Sequence, residues 1–429
     1  MALKKFVKTG LSAALVAGLG TTALFAADIK ANIMMRGDMV RVQKDETSGN
    51  KEYGYLMNNP TDQKDNPGDG LIIEVDNGNA GAHIAMWYKT ALNNGFDGNE
   101  YEDDNWNAHF RRTYIWFKPF DSLKLRLGYV GYDGHFKEKL DEWKVGSPFA
   151  IEERDWVKHP AYINCNDVEG WGFGFEYRPV EQLLINAGIT PGKKGAVASS
   201  DMKDSASFYN EDGSGYTKTK VAPWGVGARY WWDKFEFQAS FRDGGQNDNR
   251  DGTWRVLRFG AGFTNELTYS FIQPVFGFDY NTTDEKWEMN GMCLDMYSEI
   301  NVSALKFYLH APVTFRWGDA DTDLNYMELN FKAEYNTGSH GNLDDVKPYI
   351  QLGSNQDDAL WGETVTRVWV FKHMDNSFHL SYKLGLNFMV SGAEVDFGLK
   401  YDQLSKYHKN TYHKDYVVSI PFAVKIKNF

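Results

Sequence analysis

The sequence predicts an all-β fold: a transmembrane antiparallel β-barrel of eighteen strands, with sixteen as the alternative. Three observations support this. Long segments alternate apolar and polar residues from one end of the chain to the other, the connections between them take turns short and long, and no apolar run after the leader is long enough for a membrane helix. In FHLSYKLGLNFMV, 378 to 390, Phe378, Leu380, Tyr382, Leu384, Leu386, Phe388 and Val390 share one parity, opposed by His379, Ser381, Lys383, Gly385, Asn387 and Met389. A period of two is that of a strand with two different faces. Its 13 residues exceed the five or six usual in globular sheets.

The chain opens MALKKFVKTGLSAALVAGLGTTALFA, with Lys4, Lys5 and Lys8 before an apolar run from Leu11. This has the form of a secretory signal peptide, residues 1–26, and is left out of the fold. The barrel is expected over 27–429. Because no later window reaches the roughly twenty apolar residues of a spanning helix, a membrane crossing has to be made by a closed barrel.

The alternation recurs with different residues. Leu123, Leu125, Leu127 and Tyr129 oppose Lys124, Arg126 and Gly128, while Trp171, Phe173, Phe175 and Tyr177 oppose Gly172, Gly174, Glu176 and Arg178. Trp224, Val226, Ala228, Tyr230 and Trp232 oppose Gly225, Gly227 and Arg229, and Phe235, Phe237, Ala239 and Phe241 oppose Glu236, Gln238, Ser240 and Arg242. Connections are very short at 118–122, 178–182, 232–234, 264–266 and 299–303, and long and polar at 43–70, 132–168, 191–222, 243–253 and 403–415. Membrane barrels sort their connections in this way, with short turns at one end and long outer loops at the other. Nineteen segments qualify as strands, 363–374 among them, whereas a closed single-chain barrel needs an even number. The rhythm slips between 317 and 377, so the surplus segment is placed there; 71–77 and 345–353 are the weakest.

Composition narrows the function classes. With 46 basic and 58 acidic side chains the net charge is -12, or -15 once the three leader lysines are removed, and no basic stretch is dense enough to hold a nucleic-acid backbone. Mean hydropathy is that of a soluble protein, which an alternating barrel with a polar lumen shares. Cys165 and Cys293 stand far apart and make no disulfide framework. No HExxH or GxSxG appears, and the acidic stretches 59–70 and 318–325 lack full EF-hand spacing. No enzyme, cofactor or metal site is assigned.

An exported chain of many two-faced strands ending in YVVSIPFAVKIKNF resembles the Gram-negative-type outer-membrane porins, which close with an aromatic residue, here Phe429. Phe429 departs from the family in lying on the parity opposite to Val418, Ile420, Phe422, Val424 and Ile426. The resemblance implies an outer-membrane location within lipid, recognition by the barrel-assembly machinery, and a water-filled channel for passive diffusion of ions and small hydrophilic solutes, saccharides among the candidates. Porins are commonly homotrimers, although no surface in the sequence singles this out. The rival is a structural or adhesive barrel without an open pore.

If lipid lies outside, the polar parity lines the lumen: Arg126, Arg178, Arg229, Lys234, Arg242, Arg258, Lys306, Arg316, Lys383 and Lys400, with Glu176, Glu236, Glu328, Glu334, Glu394 and Asp396. A lipid-facing Arg or Lys costs about 2 to 4 kcal/mol at the midplane, so these charges call for a wet interior. The third long loop, 132–168, is the candidate constriction, because in porins that loop commonly folds inward. Its Glu138, Asp141, Glu142, Glu152, Glu153 and Asp155 would face Arg111, Arg112, Arg126 and Arg178 across the lumen. Tyr308 and Trp231 are candidates for stacking sugars, and Trp87, Trp116, Trp171, Trp224, Trp232 and Trp317 are assigned to interfacial girdles.

Overall fold

A computed structural model describes residues 28–44, 51–57, 70–89, 92–93, 107–130, 170–189, 222, 224–244, 254–311, 313–316, 325–327, 329–356, 378–403 and 415–427. The expected leader, the loop acids at 138–155, Cys165 and Phe429 lie outside these residues. So do nearly all of the long connections.

Twenty-two hydrogen-bonded segments make one sheet; four pairs of them are the two pieces of a single interrupted strand, which leaves eighteen strands. In chain order they are β1 (Asp28–Lys44), β2 (Lys51–Met57 with Gly70–Asp76), β3 (Ala80–Lys89 with Leu92–Asn93), β4 (Asn107–Phe120), β5 (Leu123–Val130) and β6 (Gly170–Val180). Then come β7 (Leu183–Ile189), β8 (Trp224–Trp232), β9 (Phe235–Asp243), β10 (Trp254–Thr264), β11 (Thr268–Asn281) and β12 (Lys286–Val302). The last are β13 (Leu305–His310 with Val313–Arg316), β14 (Asn325–Met327 with Leu329–Tyr335), β15 (Leu343–Gln356), β16 (Phe378–Val390), β17 (Ala393–Gln403) and β18 (Tyr416–Lys427). Each strand pairs antiparallel with its neighbours in sequence, and β1 pairs antiparallel with β18 from Asn32 opposite Lys427 to Gln43 opposite Val417. The sheet is therefore a closed barrel, in which every edge is satisfied.

The expected surplus strand falls where the rhythm slips. β15 and β16 pair directly along their length, from Leu343 opposite Val390 to Gln356 opposite Phe378, so no barrel strand intervenes. The candidate at 363–374 is outside the described residues. Both weak segments are strands: 71–77 lies in the second piece of β2 and 345–353 within β15. The connection expected over 43–70 is corrected, because Lys51–Met57 pairs with the upper half of β1 while Gly70–Asp76 pairs with its lower half. The alternation of KEYGYLM rests on Tyr53, Tyr55 and Met57 alone, too little to stand out beside polar turn formers.

Two-residue turns join β4 to β5 (Asp121, Ser122), β6 to β7 (Glu181, Gln182), β8 to β9 (Asp233, Lys234), β12 to β13 (Ser303, Ala304) and β16 to β17 (Ser391, Gly392). Lys234, expected on the lumen wall, is one of these turn residues. Ser391 and Gly392 both take positive φ, 49° and 82°, as a type I′ hairpin requires. These turns share one end of the barrel with the connections at 77–79, 265–267 and 336–342. At the opposite end, residues 282–285 make the one short connection among the described residues.

The two faces have opposite chemistry. Outward side chains are large, apolar and exposed: Phe120, Ile115, Phe173, Trp232, Phe237, Phe259, Ile272, Leu384 and Leu399 are among them, Leu384 at 62 % and Trp232 at 63 %. A continuous apolar exterior of this kind has no counterpart on soluble monomers and fits hydrocarbon. The inward face carries charges on strand after strand, and the outward ion pair of Arg255 with Asp243, at 2.8 Å, stands beside the long connection between β9 and β10.

Candidate functional site

The inner wall follows from register. Side chains directly opposite on paired strands share a face, so the row Trp116, Arg126, Gly174 and the row Glu176, Asn186 both point inward. Arg126 on β5 forms an ion pair with Glu176 on β6. Arg229 on β8 donates to Glu236 on β9 at 2.7 Å. Arg178 and Arg229 lie over the Trp231 ring at 5.3 and 5.0 Å. All these residues but Gly174 lie within five positions of a short turn, about 17 Å at 3.4 Å per residue. The expected arginines therefore gather near the short-turn mouth; two of them are neutralised by carboxylates on the next strand and the third is stacked on an indole. The side chains of Arg111 and Arg112 are outside the described ones.

Trp116 is not a girdle residue. Its ring is 8 % exposed and sits over Gly81 on the inner face, with Lys124 at 4.6 Å and Lys118 at 5.4 Å from its centroid. Its chain neighbours Ile115 and Phe117 take the outward positions. Trp224 and Trp232 are on the outward parity as expected, Trp224 against Phe241 and Trp232 against Phe235.

The opposite wall, β12 to β17, carries a ladder that parity alone does not reveal. Lys306 pairs with Glu299 at 2.9 Å, Lys332 with Glu334 at 2.8 Å, Lys383 with Asp396 at 2.6 Å and Lys400 with Asp402 at 2.9 Å. Tyrosines tie the steps together. Tyr297 donates to Glu299 at 2.7 Å, Tyr308 to Glu334 at 2.9 Å and Tyr349 to Asp396 at 2.8 Å. Lys306 and Lys332 lie over the Tyr308 ring, and Lys332 and Lys383 over that of Tyr349. At the mouth below this wall an open recess of about 700 Å³ is bordered by Asn301, Lys306, Tyr308, Glu334, Asn336 and Lys347.

The lining is not uniformly wet, contrary to what the charges suggest. On β9 to β12 the inward Arg242, Arg258, Gln273 and Asp295 are almost fully buried, as is an apolar cluster of Val256, Val275 and Cys293. His310, on the neighbouring β13, contacts Asp295 at 2.7 Å. On β5 to β8, by contrast, Arg126 and Glu176 retain roughly a quarter of their side-chain surface. No cluster of three metal-binding side chains occurs among the described residues.

No family model matches the chain, and no curated protein matches it in sequence. Its fold is nonetheless found among solved structures. The Pseudomonas aeruginosa protein OccK9 (OpdG) has a TM-score of 0.55 at 8% identity, covering 94% of this chain and 99% of that one. A BenF-like porin from Pseudomonas fluorescens Pf-5 scores 0.53 at 9% identity, covering 94% and 98%. Pseudomonas aeruginosa OpdL scores 0.51 at 9% identity, covering 95% and 100%. The class so defined is a porin-like barrel of eighteen antiparallel strands.

Proposed function

We propose that this chain is an outer-membrane porin through which ions and small hydrophilic solutes diffuse passively. One observation carries the proposal: a closed barrel with an apolar exterior has charged side chains from strand after strand on its inner face. Barrels of 16 to 18 strands are wide enough to leave an aqueous channel. Refolded protein in a planar bilayer is expected to give discrete conductance steps; a folded barrel that stays silent overturns the proposal.

The lining supports charged or dipolar solutes over neutral saccharides. Sugar stacking needs open ring faces, whereas cations lie over Trp231, Tyr308 and Tyr349. The six ion pairs formed by Arg126, Arg229, Lys306, Lys332, Lys383 and Lys400 make the wall a set of local dipoles. Arg126→Glu would set two carboxylates beside each other at the mouth, and the reversal potential in a salt gradient is expected to move toward cation preference. An unmoved potential removes Arg126 from the conducting path.

The second reading is a structural or adhesive barrel with a filled lumen. The buried inner sector of β9 to β12 favours it, and the more open sector of β5 to β8 opposes it. The inward-folded third loop with its acids at 138–155, recognition of Phe429 by the assembly machinery, and trimer formation belong to the same porin proposal.

A further inference from the structure

We infer that Tyr349 is a specificity-determining residue of the channel, a ring seated against the wall over Gly385 that keeps Lys383 from the lumen. The inference about conduction rests on the porin proposal; the covering of Lys383 does not.

Tyr349 on β15 lies opposite Gly385 on β16, which lies opposite Gly398 on β17, and all three face inward. The phenol crosses this glycine row and reaches Asp396 on β17, two strands away. A methyl group at Gly385 would stand 2.2 Å from the ring Cζ, 2.4 Å from the hydroxyl and 2.6 Å from Cε1. Those are closer than any real contact, and all three belong to the far end of one side chain. The wall lies behind the ring, so the relief open to it is to lift into the lumen.

The latch also arranges charge. Tyr349 is 5 % exposed, and its hydroxyl and the Lys383 ammonium share one oxygen of Asp396, at 2.8 and 2.6 Å. Lys332 and Lys383 sit 4.4 and 5.1 Å from the ring centroid, so the phenol takes up a cation from each of two strands. Held this way, the Lys383 side chain is only 3 % exposed. With the ring lifted or removed, Lys383 faces the lumen and adds an anion-attracting charge.

Two readouts test this on the full barrel. The first is amine methylation of the detergent-folded protein, followed by mass spectrometry, with Lys286, 56 % exposed, as the reactive control. Lys383 is expected to be protected in the parent and in Tyr349→Phe, and to become modified in Gly385→Ala and Tyr349→Ala. The second is conductance in potassium chloride. Gly385→Ala is expected to shrink the single-channel step, Gly385→Ala with Tyr349→Ala to restore it to at least the parent value, and Tyr349→Ala to shift the reversal potential toward anions. Lys383 reactive in the parent or still protected without the ring overturns the inference, as does an unchanged step in Gly385→Ala. If no variant and no parent molecule conducts, the porin proposal fails while methylation still decides whether the ring covers Lys383.

Discussion

Replacing Leu384 with arginine lowers the stability of the folded barrel by about 2 to 4 kcal/mol, the cost of a basic side chain on the lipid face near the bilayer midplane. Leu384 is the middle residue of β16, 62 % exposed, flanked by Ile350 on β15 and Leu399 on β17. An arginine there has no wall partner, and both interfaces are several residues away, so snorkelling relieves little of the cost. A total stability of 5 to 15 kcal/mol makes this a large fraction. Urea unfolding in lipid vesicles, followed by loss of the heat-resistant compact form on electrophoresis, measures it. The same substitution at inward Ser381 is expected to cost less, because an inward arginine reaches the carboxylates of the wall. Equal stability of Leu384→Arg and the parent would mean that this face does not meet hydrocarbon.

Such a prediction can be drawn from the sequence because a period of two sorts every side chain to one of two faces, and a one-residue slip in register would exchange them. Leu384 and Lys383 are assigned to opposite sides by parity alone, and pairing with Ile350 and Gln351 agrees. Interruptions were harder to read. The second strand is split by an insertion between Met57 and Gly70, so each piece is only seven residues long and its upper half resembles a loop. At 363–374 the alternation within one run carries no pairing information, and it is the direct pairing of β15 with β16 that leaves no place for it in the barrel.

The inner wall was legible as residue types and not as contacts. Arg126, Glu176 and Arg229 are assigned to the polar parity from sequence, and register sets Arg126 opposite Gly174 and Arg229 opposite Gln238. That Arg126 meets Glu176, and Arg229 meets Glu236, depends on register between strands, which periodicity within one strand does not contain. Tyr349, the phenol of the lysine ladder, does not stand out in the sequence, because 345–353 is among the weakest strands and its partner Asp396 is 47 residues away. The signal for it was present in Gly385 and Gly398, two glycines on a polar parity where charged residues otherwise recur; a missing side chain on a barrel wall leaves room for a neighbouring ring. Trp116 over Gly81 obeys the same rule.

Asp396 is where that wall is most sensitive. Its one oxygen accepts from both Lys383 and Tyr349, and Lys383 stands directly opposite Lys400, a like-charge pair that two strands tolerate only while each lysine has its own carboxylate. Lys400 keeps Asp402 at 2.9 Å. Asp396→Ala therefore strands a nearly buried ammonium beside another cation and is expected to cost about 3 kcal/mol, the lower end of the range for breaking a buried pair. Asp396→Asn, which leaves an acceptor for the phenol but removes the charge, should fall between. The double variant Lys383→Met with Asp396→Leu should regain most of the loss, because removing both partners leaves no buried charge uncompensated. Urea midpoints of the parent, Lys383→Met, Asp396→Leu and the double variant form a cycle whose coupling measures the pair. Additive losses in the double variant would show that Lys383 draws its compensation from elsewhere on the wall, and the ladder would then be a row of independent lysines.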